Sequence, residues 1–168
     1  QLAWKKTQYG LYVFSDNIQS KLLDSVDIRG WFSIDISSDK SVNPVLSLNF
    51  DIQKAPVSMH RYLVPKILKP STQDWLNASL DSGEVDYANF VFMGSVGQRK
   101  KTRQFIEPII QLDTQFHDVK LNYHNKWPSL SKAKGKMSLR QKAVDVHLSN
   151  ARFLESIVSN ADVSIDPR

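Results

Sequence analysis

Apolar and polar residues alternate with a period of two along much of this chain. From Ser25 to Ser37 the even positions are apolar or glycine, and the odd positions are polar except for Trp31. Residues 46–53 repeat the alternation. A period of two is that of a β-strand with one buried face, so both runs predict strands. The sequence SSDKSVNP between them has the polar residues and the proline of a hairpin connection.

The apolar positions change parity twice further along the chain. The first change falls near Ala88–Asn89 and the second at His117–Asp118. A β-bulge adds one residue to a strand and shifts the parity of its faces, so we expect a bulge in each of these two strands. Shorter strands are predicted at residues 11–14, 18–23, 137–139, 144–148 and 163–165.

Residues 56–83 break the alternation. Their sequence predicts a short helix over residues 58–64, ended by Pro65, and a second helix after Pro70, with Gly83 following its last turn. We interpret residues 56–83 as a helical insert, with its helices around residues 58–82, packed on a sheet. The chain as a whole, residues 1–168, is predicted to be a single β-rich segment with long antiparallel strands.

The composition is that of a folded protein and excludes several kinds of chemistry. Of the 168 residues, 41% are hydrophobic and 23% are charged, which is ordinary for a chain that buries a core. Cysteine is absent, so disulfide scaffolds, thiolate metal sites and cysteine nucleophiles are excluded. No window approaches the roughly 20 consecutive apolar residues of a membrane-spanning helix.

The formal net charge is +5, and the sequence contains two clusters of basic residues. Arg99, Lys100, Lys101 and Arg103 fall in one predicted loop, and a second group of basic residues lies at positions 132–142. Such residues contact phosphates of lipid headgroups or of nucleic acid, or they are simply solvated. Nucleic acid is disfavoured because no motif of interleaved aromatic and basic residues is present. We therefore take the first cluster as a candidate contact for headgroups or another anionic surface.

Motifs of catalysis and metal binding are missing from the sequence. The four histidines lack metal-ligand spacing, and neither a G-x-S-x-G motif nor a glycine-rich phosphate loop occurs. Asp27, Asp35, Asp51 and Asp113 fall on the polar side of their strands, which indicates a solvated face rather than a glycosidase pair. We expect no enzymatic activity, no cofactor and no metal.

Two blocks of sequence resemble the YhdP family, the large AsmA-like envelope proteins of Gram-negative bacteria. The first, HRYLVPKILKPSTQDWLNASLDSGEVDYANFVFMG, is similar to the family pattern R-Y-L-P, a leucine ahead of the W-L of a short helix, and then G-x-[VI]-x-x-[AG]. Val64 stands between the leucine and the proline, where this sequence departs from the family pattern. The matching residues are Arg61, Tyr62, Leu63, Pro65, Leu68, Trp75, Leu76, Gly83, Val85 and Ala88.

The second block, FHDVKLNYHNKWPSLSKAKGKMSL, resembles a strand of the family followed by Y-x-x-x-W-P-x-L. The resemblance lies in Leu121, Tyr123, Trp127, Pro128 and Leu130. The next strand then begins at Gly135 and Met137, as in the family. Neither block is a catalytic motif, and the resemblance rests on the two blocks occurring in the order of the family.

The resemblance implies a fragment of a much larger periplasmic protein, anchored in the inner membrane by an N-terminal helix. It implies a strongly curved antiparallel sheet, trough-like or open-barrel-like, whose apolar interior conducts phospholipid toward the outer membrane and supports its permeability barrier. The implied partners are phospholipid or another acyl-chain lipid, the rest of the same polypeptide, and envelope proteins of the inner and outer membranes.

Nine apolar strand positions are the candidates for contact with acyl chains, although such a position more often belongs to an ordinary core. A second hypothesis is a structural or protein-interaction module of the envelope with a closed core and no lipid. A third, a carbohydrate-acting or carbohydrate-binding β-sandwich, rests on the strand content and on aromatic residues such as Trp31. The nine candidates for contact with acyl chains are Phe32, Ile34, Leu46, Leu48, Phe50, Phe90, Phe92, Leu112 and Phe116.

Overall fold

Strands make up most of the described chain. The computed structural model describes residues 1–22, 26–63, 70–97, 100, 102–122, 124 and 126–166. The strands are β1 (Ala3–Thr7), β2 (Gly10–Leu22), β3 (Val26–Ser37), β4 (Val45–Pro56), β5 (Leu80–Ser95), β6 (Ile109–Leu121), β7 (Leu130–Arg140), β8 (Ala143–Phe153) and β9 (Ser156–Ile165). Between β4 and β5 lie a 3-10 turn (Val57–Met59), α1 (His60–Leu63) and α2 (Pro70–Ser79).

All nine described strands form a single antiparallel sheet. Each strand pairs with the strands before and after it in sequence, so the spatial order from β1 to β9 is the chain order. β1 and β9 are the two edges, and within the described residues the sheet is not closed into a barrel. The prediction of a mainly β fold with long antiparallel strands is confirmed. The β-sandwich is wrong, because the described strands form one sheet rather than two packed sheets.

The two runs with the cleanest alternation are β3 and β4, which pair as predicted. At the N-terminus the two predicted short strands are one strand, β2, whose register shifts between Ser15 and Ile18. β1 pairs with β2 and was not predicted. Its sequence, AWKKT, has too few apolar residues for its alternation to be seen.

A line of strand irregularities crosses the sheet from β4 to β9, next to one row of residues that lie opposite each other on neighbouring strands. Beside this row, Lys54 in β4, Asp118 in β6 and Asn160 in β9 adopt positive φ angles of 58°, 52° and 52°. β5 and β7 shift register at the same level. A bulge bends its strand and increases its twist, so irregularities at one level in neighbouring strands bend the sheet along a common line. The row consists of Ala55, Val85, Phe116, Gly135, Leu148 and Ala161.

The helical insert is shorter than predicted at its C-terminal end. α2 ends at Ser79 and β5 begins at Leu80, so Gly83 lies in a strand and its predicted place after a helix is wrong. Its φ is 123°, and a Cβ at this position would come within 2.5 Å of the Val119 Cα in β6. Glycine is therefore required here by the close approach of a neighbouring strand. Pro65, which was predicted to end the first helix, lies outside the described residues. None of the described helices is long and apolar enough to cross a membrane.

The 3-10 turn, hereafter the covering turn, joins two hydrophobic clusters on the sheet. Met59 is 2% exposed and packs with residues of β3, β4 and β5, whereas Val57 packs with residues of β6, β7 and β8. The core therefore lies where β4 ends, beneath the covering turn. The first cluster contains Val26, Ile52, Ala55, Met59 and Ala88, and the second contains Val57, Val119, Ala133, Leu148 and Ala151.

Candidate lipid-binding face

The cross-strand register places all nine candidate groove residues on one face of the sheet, hereafter the apolar face. Residues directly opposite each other in an antiparallel pair share a face, and so do residues two apart in a regular strand. Leu48 of β4 lies opposite both Phe32 and Phe92. The other candidates pair as Ile34 with Leu46, Phe50 with Phe90, Phe90 with Leu112, and Phe116 with Val85.

The apolar face extends beyond these nine residues in both directions. Leu139, Val144 and Ile165 continue the row of Leu112 as far as the β9 edge. On the other side, Val13 of β2 lies opposite Ile34. One apolar surface therefore runs from β2 to β9 across the described sheet.

The nine candidates differ in how far they are already covered. Phe92 is 2% exposed. Leu112 packs against the first cluster and Phe116 against the second. The other six are half-buried, as Leu112 and Phe116 are, but among the described contacts they belong to neither cluster. We refer to these six, which lie on β3, β4 and β5, as the half-buried wall: Phe32, Ile34, Leu46, Leu48, Phe50 and Phe90.

The opposite face of the sheet carries most of the polar strand residues, and several of its charged side chains have partners on neighbouring strands. Asp51 and Asp113 both lie opposite Asn89, but each has a structural partner. The Tyr87 hydroxyl donates a hydrogen bond of 2.7 Å to Asp51, and one Arg140 nitrogen, Nη2, lies 2.7 Å from both carboxylate oxygens of Asp113. Donation to the Asp51 carboxylate raises the pKa of Tyr87 above its usual value, because it stabilises the protonated phenol. These carboxylates hold neighbouring strands together.

Other ionisable groups of the polar face also bridge strands. His147 Nδ1 lies 2.7 Å from Asp162 Oδ1, between β8 and β9. His117 Nδ1 lies 2.9 Å from Asp86 Oδ1, between β6 and β5. In the described part of the chain, no group of three or more His, Asp or Glu side chains is placed to hold a metal ion.

A depression of about 400 Å³ lies at the end of the sheet opposite the covering turn. It brings together the β3–β4 connection and the loop after β5. Of the four basic candidates, Lys100 and Arg103 line this depression, whereas Arg99 and Lys101 lie outside the described residues. The remaining lining residues are Asn43, Pro44, Val96 and Gly97.

Backbone hydrogen bonds fix these two connections to each other. Gln104 donates its N–H to the Ser41 carbonyl at 2.6 Å, and Asn43 donates its N–H to the Gln104 carbonyl at 3.2 Å. The Asn43 side chain is 2% exposed, and its Oδ1 lies 3.5 Å from Arg103 Nη1. Sequence reasoning missed Asn43, because SSDKSVNP shows only a polar turn and its partner is sixty residues away in the chain.

The fold and this site define a class: an open antiparallel sheet with one apolar face, one polar face and a basic depression at one end. Residues 1–167 match the family model described as YhdP protein, so the chain belongs to the YhdP family, as predicted. The match includes the N-terminal strands, which carried no part of the two sequence blocks. Membership of this family suggests a bacterial envelope protein of the lipid-transport type. Neither the curated proteins nor the solved structures contain a significant match.

Proposed function

We propose that this chain is a non-enzymatic, periplasmic segment of a larger protein anchored in the inner membrane, and that its apolar face binds the acyl chains of phospholipid in transit between the two membranes. The observation that carries this proposal is the register, which gathers all nine candidate residues on one face. Such a segment supports the permeability barrier of the outer membrane. Its further partners are the rest of the same polypeptide and envelope proteins of both membranes.

The energetics of acyl chains suit transfer along such a face. Removing a methylene from water is worth about 0.8 kcal/mol, whereas moving it from a bilayer to another apolar surface is worth almost nothing. A face that matches the bilayer in polarity therefore takes up lipid and releases it again. No catalytic group is needed for this exchange. The carboxylates of Asp51 and Asp113 accordingly have a structural role, as bridges between strands.

The half-buried wall is the part of the apolar face best placed to hold a chain. Its six residues lie on three adjacent strands, away from the covering turn. Leu48 lies at its centre, with Leu46 and Phe50 on the same strand face and Phe32 across the β3–β4 pair. A charge at Leu48 would therefore meet any chain that lies along the wall.

The test is native mass spectrometry with lipid extraction on the chain purified from a Gram-negative host. We expect Leu48→Asp to reduce retained phospholipid about tenfold or more, because an unpaired carboxylate in apolar surroundings costs several kcal/mol. Ser47→Asp is the matched control: the same charge enters the preceding residue of β4, on the opposite face, and we expect retention to stay at the wild-type level. Circular dichroism verifies that both variants fold.

Wild-type lipid retention in a folded Leu48→Asp variant would remove Leu48 from the wall. Absence of lipid from the wild-type chain, together with a dry core in hydrogen exchange, would favour the second candidate, a structural or protein-interaction module. The observation on which that candidate rests is that Phe92 is buried and that Leu112 and Phe116 pack against the two hydrophobic clusters.

A further inference from the structure

The depression at the end of the sheet is continuous with the apolar face. Pro44 and Val96 flank β4 and β5, and the Val96 N–H donates to the Pro44 carbonyl at 2.9 Å. This bond continues the register in which Leu46 lies opposite Gly94, so Pro44 and Val96 extend the apolar face by one row. A ligand lying along β4 would therefore run from the half-buried wall directly into the depression.

The depression presents positive charge at this end of the face. Lys100 and Arg103 are exposed, and no carboxylate is among the described residues that line the depression. The contact from Arg103 Nη1 to Asn43 Oδ1 is long, at 3.5 Å, and a guanidinium carries five N–H donors. Its planar fork is suited to two parallel hydrogen bonds with phosphate oxygens, and lysine adds a compact positive charge.

The dimensions of the face fit a phospholipid placed in this way. From Pro44 to Phe50 is six residues of extended chain, roughly 20 Å. One leaflet of a bilayer, half of a hydrocarbon core roughly 30 Å thick, needs roughly 15 Å for its acyl chains. A lipid whose phosphate lay in the depression would thus place its chains along Leu46, Leu48 and Phe50.

We propose that this depression is the binding site for the phosphate of a phospholipid whose acyl chains lie on the half-buried wall. The inference rests on the proposed function and deepens it, because it assigns an orientation: the headgroup lies at the end with Arg103 and the chains point toward the covering turn. Arg103 and Lys100 bind the phosphate, and Asn43 positions the guanidinium.

The test is isothermal titration of the whole chain with three soluble probes, each below its micelle concentration. Dioctanoyl phosphatidylglycerol carries chains and phosphate, dioctanoylglycerol carries the chains alone, and glycerol 3-phosphate carries the phosphate alone. We expect the double substitution Lys100→Gln and Arg103→Gln to weaken binding of the phosphatidylglycerol about fivefold or more at low salt, and to leave dioctanoylglycerol unchanged. Lys134→Gln with Lys136→Gln, which removes the same charge away from the depression, is the matched control.

A second variant separates charge from loop structure. Arg103→Lys keeps the positive charge beside Asn43 but loses the planar fork, so with Lys100 intact we expect it to weaken phosphatidylglycerol binding less than the double substitution does. Leu48→Asp should weaken both lipids. Thermal unfolding followed by circular dichroism verifies that the basic variants remain folded.

The remaining outcomes of the titrations distinguish failure of the headgroup site from failure of the proposed function. Equal effects of the two double substitutions on phosphatidylglycerol, with dioctanoylglycerol still bound, would overturn the headgroup site and leave the proposed function standing. Binding of neither lipid by the wild-type chain would overturn both. Loss of glycerol 3-phosphate binding alone, without an effect on the lipid, would identify a site for free anions and overturn the inference.

Discussion

Phe32 and Phe92 lie in the same cross-strand row, on either side of Leu48, yet they are not equally exposed. Phe92 is 2% exposed, whereas Phe32 is half-buried. In the sequence the two residues look alike, because each is an aromatic residue at an apolar strand position. Alternation determines the face to which a side chain points, but its coverage depends on residues from distant parts of the chain. The face of both residues was therefore predictable and their burial was not.

The same substitution at these two positions should have different effects on stability. We expect Phe92→Ala to lower the free energy of unfolding by about 3–5 kcal/mol, because it leaves a cavity in a closed site. Phe32→Ala should cost less, since water reaches part of the Phe32 side chain already. Urea denaturation measures both, with the slope of the transition as a check on two-state behaviour. Equal losses would mean that Phe32 is as well packed as Phe92.

At the scale of elements, one predicted parity change is confirmed in place and the other is displaced. The change at His117–Asp118 coincides with the register shift between Phe116 and Val119. The change predicted near Ala88–Asn89 occurs earlier, between Val85 and Tyr87. The reason is Tyr87, which counts as apolar in a pattern but whose hydroxyl bonds to Asp51 on the polar face. A residue with an apolar ring and a polar end fits either face, so its assignment depends on its partner.

The covering turn is the element that most directly anchors the helical insert to the sheet. We expect Met59→Ala to lower the free energy of unfolding by about 2–5 kcal/mol, because Met59 fills the first cluster. Ser58→Ala, in the same turn but exposed, is the control and should change stability by about 0.5 kcal/mol or less. Thermal unfolding of the two variants side by side gives the comparison. A small effect at Met59 would show that the cluster holds together without the turn.

For the whole molecule, the sequence was sufficient for the strand faces and insufficient for the depression. The nine groove candidates fall on one face because parity is a local property that each strand carries by itself. Backbone hydrogen bonds between two loops bring the Asn43 side chain beside that of Arg103, and no local pattern reports such a pairing. The basic residues of the depression were visible in the sequence as a cluster of charges, whereas the buried side-chain amide of Asn43 was not.

The two edges of the sheet should be its least stable parts. β1 is short, and β9 is bonded on one side only among the described strands. We expect amide hydrogens of β5 and β6 to exchange about tenfold more slowly, or more, than those of β1 and β9, because local opening begins where the fewest contacts must break. Hydrogen exchange read by mass spectrometry or NMR measures this gradient. Uniform protection across the nine strands would indicate a single cooperative unit instead.

The chain order of the strands has a consequence for how such a protein changes in size. Because each described strand touches mainly its neighbours in sequence, the sheet is quasi-one-dimensional in the manner of a repeat array. Its stability approaches a sum of nearest-neighbour terms, and a hairpin added at an edge leaves every existing register unchanged. Insertion or loss of whole hairpins therefore changes the length of the apolar face without requiring a new fold.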